Sequence, residues 1–274
     1  MSLDYILHLA DNAVVLGQRN AEWCGHGPII EEDIALSNMS LDLIGQARLL
    51  YEHACTLIEA DPALKAKYQK LPRFEGTLSE DSLAYFRDVP EFRNYTLLEL
   101  PHNTGFVGYA KTDMDYGATI VRNYLFSQWM VLVWNALQSS KDAQLAAIAA
   151  KSLKETSYHL RHSRDWLVRL GDGTDESHAR VQAALDYYLP FTQEFWTTSP
   201  AEQAALASGV GVNMASLKAA WDAQVDATLT EATLRRPASG GYVSTGKLGV
   251  HSEHLGYLLG EMQSLAREHP TATW

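Results

Sequence analysis

Residues 142–170 read DAQLAAIAAKSLKETSYHLRHSRDWLVRL, and the fold follows from how this stretch wraps. At about 100° per residue, Leu145, Ile148, Ala149, Leu153, Leu160, Leu167 and Leu170 line up as one apolar stripe. Thr156 and His159 fall inside that stripe, while Arg161 and Asp165 point away from it. The pattern predicts a helix over 142–170. No proline lies between His102 and Pro190, so that part of the chain can carry long unbroken helices. Just upstream, 112–140 reads as a second long helix. Its residues Tyr116, Ile120, Asn123, Ser127, Met130 and Trp134 share one side, and Val121, Leu125, Leu132 and Ala136 make the other side apolar too. Such a helix is buried on both flanks. In a third helix, over 29–60, Met39, Leu43, Leu50 and Leu57 share a face with Gln46 and His53.

Working outward, further helices are expected at 3–20, 80–88, 175–197, 213–235 and 250–268. Pro28 suits a first helical turn, and Gly171 with Gly173 suits a C-terminal stop. No segment alternates like a strand. The expected fold is therefore all-α: one domain over 1–274, a bundle of long antiparallel helices with additional C-terminal helices. Two loop-rich stretches remain, 61–111 and 236–249. The second, entered through Pro237-Ala238-Ser239-Gly240-Gly241, reads as mobile.

Composition narrows the function classes. The 274 residues carry 22 Lys and Arg against 33 Asp and Glu, a formal net charge of −11, with 46% hydrophobic residues. That argues for a globular chain and against nucleic acid or an anionic membrane surface as partner. Cys24 and Cys55 alone exclude a disulfide framework and favour a reducing cytosol. Met1 to Asp11 carries acids and no basic segment, unlike a secretory signal. The longest uncharged run, Asn123 to Ser140, contains Asn123, Gln128, Asn135 and Gln138, which suits a buried helix better than a membrane span. A cytoplasmic protein is expected.

Three helices thus each bring short polar groups to an otherwise apolar seam. A four-helix bundle with a metal site has that pattern, and so does one that has lost its metal. A dinuclear carboxylate centre needs Glu-x-x-His, which sets both ligands on one helix face. Here the core-facing counterparts are Leu43-x-x-Gln46 and Thr156-x-x-His159, and Glu155 stands one residue out of register. Leu43 cannot bind a metal, and Gln46 is a poor substitute for imidazole. A histidine on an apolar face must be hydrogen-bonded or act as a ligand, and a satisfied core histidine is the plainer reading of His159. Other constellations are weaker. Cys24 and His26 lack a second pair at zinc spacing. His251-Ser252-Glu253-His254 fits hydrogen bonding at a helix N-terminus or a partner interface better than a metal. Lys154, Arg161, His162, Arg164 and Arg169 form a basic flank, either a solvated face or a docking surface. No nucleophile elbow, phosphate loop or dinucleotide glycine pattern occurs.

Several strings then carry a resemblance: Glu22-Trp23-Cys24-Gly25-His26, Leu41-Asp42-Leu43-Ile44-Gly45-Gln46-Ala47-Arg48, Lys154-Glu155 with Tyr158-His159-Leu160-Arg161, and His251-Ser252-Glu253-His254-Leu255-Gly256 with Glu261-Met262-Gln263. With them the chain closely resembles, almost end to end and down to Trp274, the structural subunits of the bacterial phenylacetyl-CoA epoxidase. That enzyme is the ring-activating multicomponent oxygenase of aerobic phenylacetate degradation. The segment 61–98 carries the least of the likeness. The resemblance implies a ferritin-like bundle paired with a related catalytic subunit, PaaA, that holds the di-iron centre. It also implies companion small subunits and a reductase with FAD and an iron–sulfur centre fed by NADPH. Carried over by motif, the ligand positions of the catalytic relative fall on Glu22, Leu43, Gln46, Ser127, Thr156 and His159. At most two of these six can still bind metal. The resemblance therefore implies a non-catalytic scaffold subunit with no metal or cofactor of its own, and a homodimer when isolated. His159 is expected to pair with a polar or acidic core neighbour such as Glu22. Two other functions stay open: an active di-iron oxidase or oxygenase with an unusual ligand set that uses Glu155 and Asp42, and a stand-alone helical module binding an acyl-CoA or another protein.

Overall fold

The computed structural model describes residues 3–73, 76–104, 114–238, 240–270 and 272. In chain order the helices are α1 (Leu3–Ala21), α2 (Ile30–Ala60), α3 (Pro62–Lys67), α4 (Glu80–Tyr85), α5 (Thr96–Glu99) and α6 (Tyr116–Leu137). They continue with α7 (Ala143–Gly171), α8 (Asp175–Tyr188), α9 (Gln193–Trp196), α10 (Pro200–Ser208), α11 (Met214–Glu231) and α12 (Glu253–Glu268). No strand forms among the described residues. The fold is an all-α ferritin-like bundle.

Four long helices make the centre. α1 packs along α2, α6 along α7, and α2 faces α7 across the bundle. α6 is buried nearly all round, from Gly117 to Leu137, because α8 and α11 cover its outer side. α7 buries Leu145, Ile148, Ala149, Thr156, His159 and Leu167 and leaves Arg161 and Asp165 exposed, as its periodicity predicts. α2 has two apolar faces. Leu36, Met39, Leu43, Leu50 and Ile58 point inward, whereas Ile30, Ile34, Leu41 and Ile44 stand 72%, 54%, 65% and 41% exposed on the outer side. Local caps set the helix starts. The Asp115 carboxylate accepts the Gly117 and Ala118 N–H groups, and Asp142 accepts that of Leu145.

Several boundaries differ from the sequence expectation. Residues 112–113, the expected start of the helix read over 112–140, lie outside the described residues, and the helix begins after the Asp115 cap. Pro28 sits in the turn before α2 rather than in its first turn. The helix expected over 175–197 breaks at Pro190, which has no N–H to donate, and tightens into a 3-10 turn over Leu189–Thr192 before α9. The helix expected over 213–235 stops earlier because Thr233 turns to a φ of +58° and donates its hydroxyl to the Gly171 carbonyl. The helix expected over 250–268 starts only at Glu253, after its N-cap Ser252. The one expected over 80–88 ends at Tyr85. Gly171 closes α7 by contact: a Cβ there would strike the carbonyl of Ala232.

The two loop-rich stretches also need correction. The first contains α3, α4 and α5; its residues 74–75 and 105–111 lie outside the described set. The second is anchored in its later part, residues 244–247, while 240–243 are exposed. Ser244, Gly246 and Lys247 are buried. The Glu194 carboxylate accepts the Thr96 N–H at 3.0 Å, the Lys247 N–H at 2.7 Å and the Ser244 hydroxyl at 2.8 Å. The Lys247 ammonium pairs with Glu202 at 2.8 Å, both side chains being buried. Buried charges hydrogen-bonded in this way fix a segment, because leaving any of them unpaired is costly. Ser239 lies outside the described residues.

Candidate functional site

The centre of the four-helix bundle gathers five of the six ligand positions read from the sequence. Leu43 and Gln46 from α2, Ser127 from α6, and Thr156 and His159 from α7 line one small cavity, together with Leu9, Ala13 and Leu16 of α1 and Phe126, Met130 and Trp134 of α6. The room left between them is about 10 Å³, counted as space for the centre of a water-sized sphere. A larger open groove, about 590 Å³ between α4 and α12, holds Glu80, Asp81 and His269 and none of these residues.

Glu22 is the position that does not belong. It lies beyond the end of α1, where Arg19 donates to it at 2.7 Å and His102 approaches within 3.4 Å. The contribution of α1 to the cavity is Leu9, Ala13 and Leu16, spaced four and three apart. That spacing is the signal the sequence holds for the α1 wall; the acidic Glu22 points to the wrong turn.

His159 is buried and hydrogen-bonded, as expected, but to Asp42 rather than Glu22: its Nε2–H donates to the carboxylate at 3.0 Å. One turn along, the Gln46 amide donates to Glu155 at 3.0 Å. Asp42 and Glu155 are the residues immediately before Leu43 and Thr156, so each carboxylate sits one position out of the ligand register and pairs across the seam. The same seam carries two more rungs. His162 donates to Glu32 at 2.8 Å, with the Tyr116 hydroxyl on the same oxygen, and His53 donates to Asp142 at 2.7 Å. Numbers rise along α2 as they fall along α7, so the two helices run antiparallel.

A second buried network closes the end of α1. Nδ1 of His102 accepts from the Arg122 guanidinium at 2.8 Å and lies 2.6 Å from the Thr119 hydroxyl. The Trp23 indole N–H is shared between the Thr119 oxygen at 2.9 Å and Nδ1 at 3.1 Å, and Nε2–H of His102 donates to the Arg19 carbonyl at 2.6 Å. Donors crowding Nδ1 leave no place for a second proton. Burial and the nearby Arg122 charge accordingly push the His102 pKa down to about 4. Burial alone would raise Glu22, but the His102 and Arg19 contacts outweigh it and hold that carboxyl at about 2.

The remaining candidates are structural in their contacts. His26 is exposed and bonds the Cys24 carbonyl. His251 contacts Glu99 at 2.8 Å and the Phe92 carbonyl at 3.0 Å, just before the Ser252 N-cap of α12. In the basic flank Arg164 pairs with Glu231, and the guanidinium groups of Arg161 and Arg169 lie over the rings of Tyr158 and Trp166.

A di-iron carboxylate centre would need several carboxylates and two imidazoles directed into one space. The cavity offers one imidazole, one amide, two hydroxyls and an indole, and its neighbours Asp42 and Glu155 are spent on His159 and Gln46. These residues do not fit an iron pair. Among the described residues, no three His, Cys, Asp or Glu side chains gather where one metal ion could be held.

The family model described as phenylacetic acid catabolic protein matches residues 1–274. The chain belongs to that family. Among curated relatives, it is 41% identical over 270 residues, 98% of each chain, to a protein named as one of the subunits of 1,2-phenylacetyl-CoA epoxidase in Escherichia coli (strain K12). The phenylacetic acid catabolic family match covers α1 to α12 and therefore includes the long helices around the cavity as well as the C-terminal helices that brace them. No helix among the described residues is long and apolar enough to cross a membrane.

Proposed function

We propose that this chain is a non-catalytic structural subunit of a cytoplasmic multicomponent di-iron oxygenase, one that epoxidises the aromatic ring of phenylacetyl-CoA in phenylacetate catabolism. Its role is to stabilise and dock the catalytic subunit, PaaA, which carries the iron; the small subunits and an NADPH-fed reductase complete the enzyme. The observation that carries this reading is the donor set at the bundle centre. A leucine and an amide stand where an acid and an imidazole would grip iron, and the two out-of-register carboxylates are hydrogen-bonded elsewhere. Without a metal, the chain's own residues hold the four helices together, through side-chain pairs across the α2–α7 seam and tight aliphatic packing around the cavity. The outer stripe of α2 supports the docking role: Ile30, Ile34, Leu41 and Ile44 form a long exposed aliphatic face of the kind a permanent partner covers.

The test is co-expression with the catalytic subunit, followed by iron analysis and epoxidation assays with each subunit left out in turn. The lone chain is expected to carry far less than one iron per molecule, and epoxidation is expected to fail when either subunit is missing. Near-stoichiometric iron on the lone chain would overturn the proposal.

A further inference from the structure

We infer that the cavity at the centre of the bundle is a binding site for a single water molecule. The size fits one occupant: the room is about 10 Å³, and a water needs roughly 10–15 Å³ counted this way, with two to four polar partners. The walls supply those partners. Trp134 is fully buried and its indole N–H has no hydrogen-bond partner, although it can only donate. Ser127 and Thr156 bring hydroxyls that can donate or accept. His159 commits Nε2–H to Asp42, which leaves Nδ1 to bond a water, and Gln46 commits its amide nitrogen to Glu155, which leaves its oxygen. Leu9, Ala13, Leu16, Leu43, Phe126 and Met130 form the rest of the wall. A water accepting from Trp134 and donating to Thr156 or His159 ties α6 to α7, and one donating to Gln46 adds α2. Purely apolar cavities of this kind stay dry; a wall with five polar side chains does not.

This inference does not depend on the proposed function, and one set of crystals separates the two. The full chain is crystallised at a resolution that orders buried waters, as wild type and as Trp134→Phe and Thr156→Val. Data are collected at the iron edge and after xenon pressurisation. The expected result is one peak in the wild type within hydrogen-bond distance of at least two wall residues. It shows no anomalous signal at the iron edge, admits no xenon, and weakens or vanishes in at least one variant. A dry wild-type cavity, with or without xenon, would overturn the water site alone, as would a peak unchanged in both variants. An iron peak would overturn both the water site and the non-catalytic reading. If neither variant folds, the wild-type density and xenon data still decide the matter.

Discussion

His102 shows how much a single residue constrains this protein. Burial, helped by the nearby Arg122 charge, disfavours its protonated form, and its pKa falls from 6.5 to about 4. The folded chain therefore refuses a proton that the unfolded chain accepts. The resulting stability is complete above pH 6.5, drains away as pH falls toward 4, and levels off below that. Over that window the loss approaches about 1.4 kcal/mol per pH unit. Glu22, held near 2, adds a second loss as pH falls below its ordinary 4.5. Urea unfolding midpoints measured from pH 8 to 3 are expected to drop through both windows, with His102→Gln flattening the upper one. Residue-level roles are unevenly legible in the sequence. The helical wheel alone places His159 on the core face, since periodicity is local. Its partner is hidden, because Asp42 lies on another helix and one step from the motif position.

At the scale of the element, four side-chain rungs tie α2 to α7 across the seam. Asp42 and Glu155 are 39% and 23% exposed, so water competes for each rung. Asp42→Asn and Glu155→Gln are each expected to cost about 0.2–1 kcal/mol, and a double variant about the sum, as read from thermal unfolding. A larger loss would mean that the seam depends on those charges more than their exposure suggests. The long helices themselves are readable from sequence because apolar periodicity sustained over six or more turns admits no other structure. Their ends are not. The Asp115 cap and the break at Pro190 each rest on one residue, too small a signal to fix a boundary, and the Thr233 turn depends on the Gly171 carbonyl far back along the chain. The short helices α3, α5 and α10 escape a sequence reading for a related reason, being too brief to show a period.

For the molecule as a whole, two surfaces matter, one outside and one within. Outside, Leu41→Asp in the exposed stripe of α2 is expected to leave the fold intact and to weaken capture by a tagged catalytic subunit at least tenfold; full retention of binding would place the docking face elsewhere. Light scattering on the isolated chain should report self-association that the same substitution reduces. Inside, Glu194 anchors residues 244–247, and burial raises its pKa against the hydrogen bonds from Lys247, Thr96 and Ser244 that favour the charge. Glu194→Ala should free that segment, so trypsin is expected to cut after Lys247 much faster than in the parent protein. The sequence reads 236–249 as loop, and nothing local in it reveals that a carboxylate about fifty residues upstream holds Ser244 and the Lys247 backbone. The same arrangement bears on synthesis. Glu99 and Glu194 are enclosed carboxylates whose partners, His251, Ser252, Ser244 and Lys247, leave the ribosome after all the long helices have emerged. A nascent chain stalled before those residues leaves Glu99 with Asn94 and Glu194 with the Thr96 N–H as their upstream partners, so final consolidation of the native state must await the last part of translation.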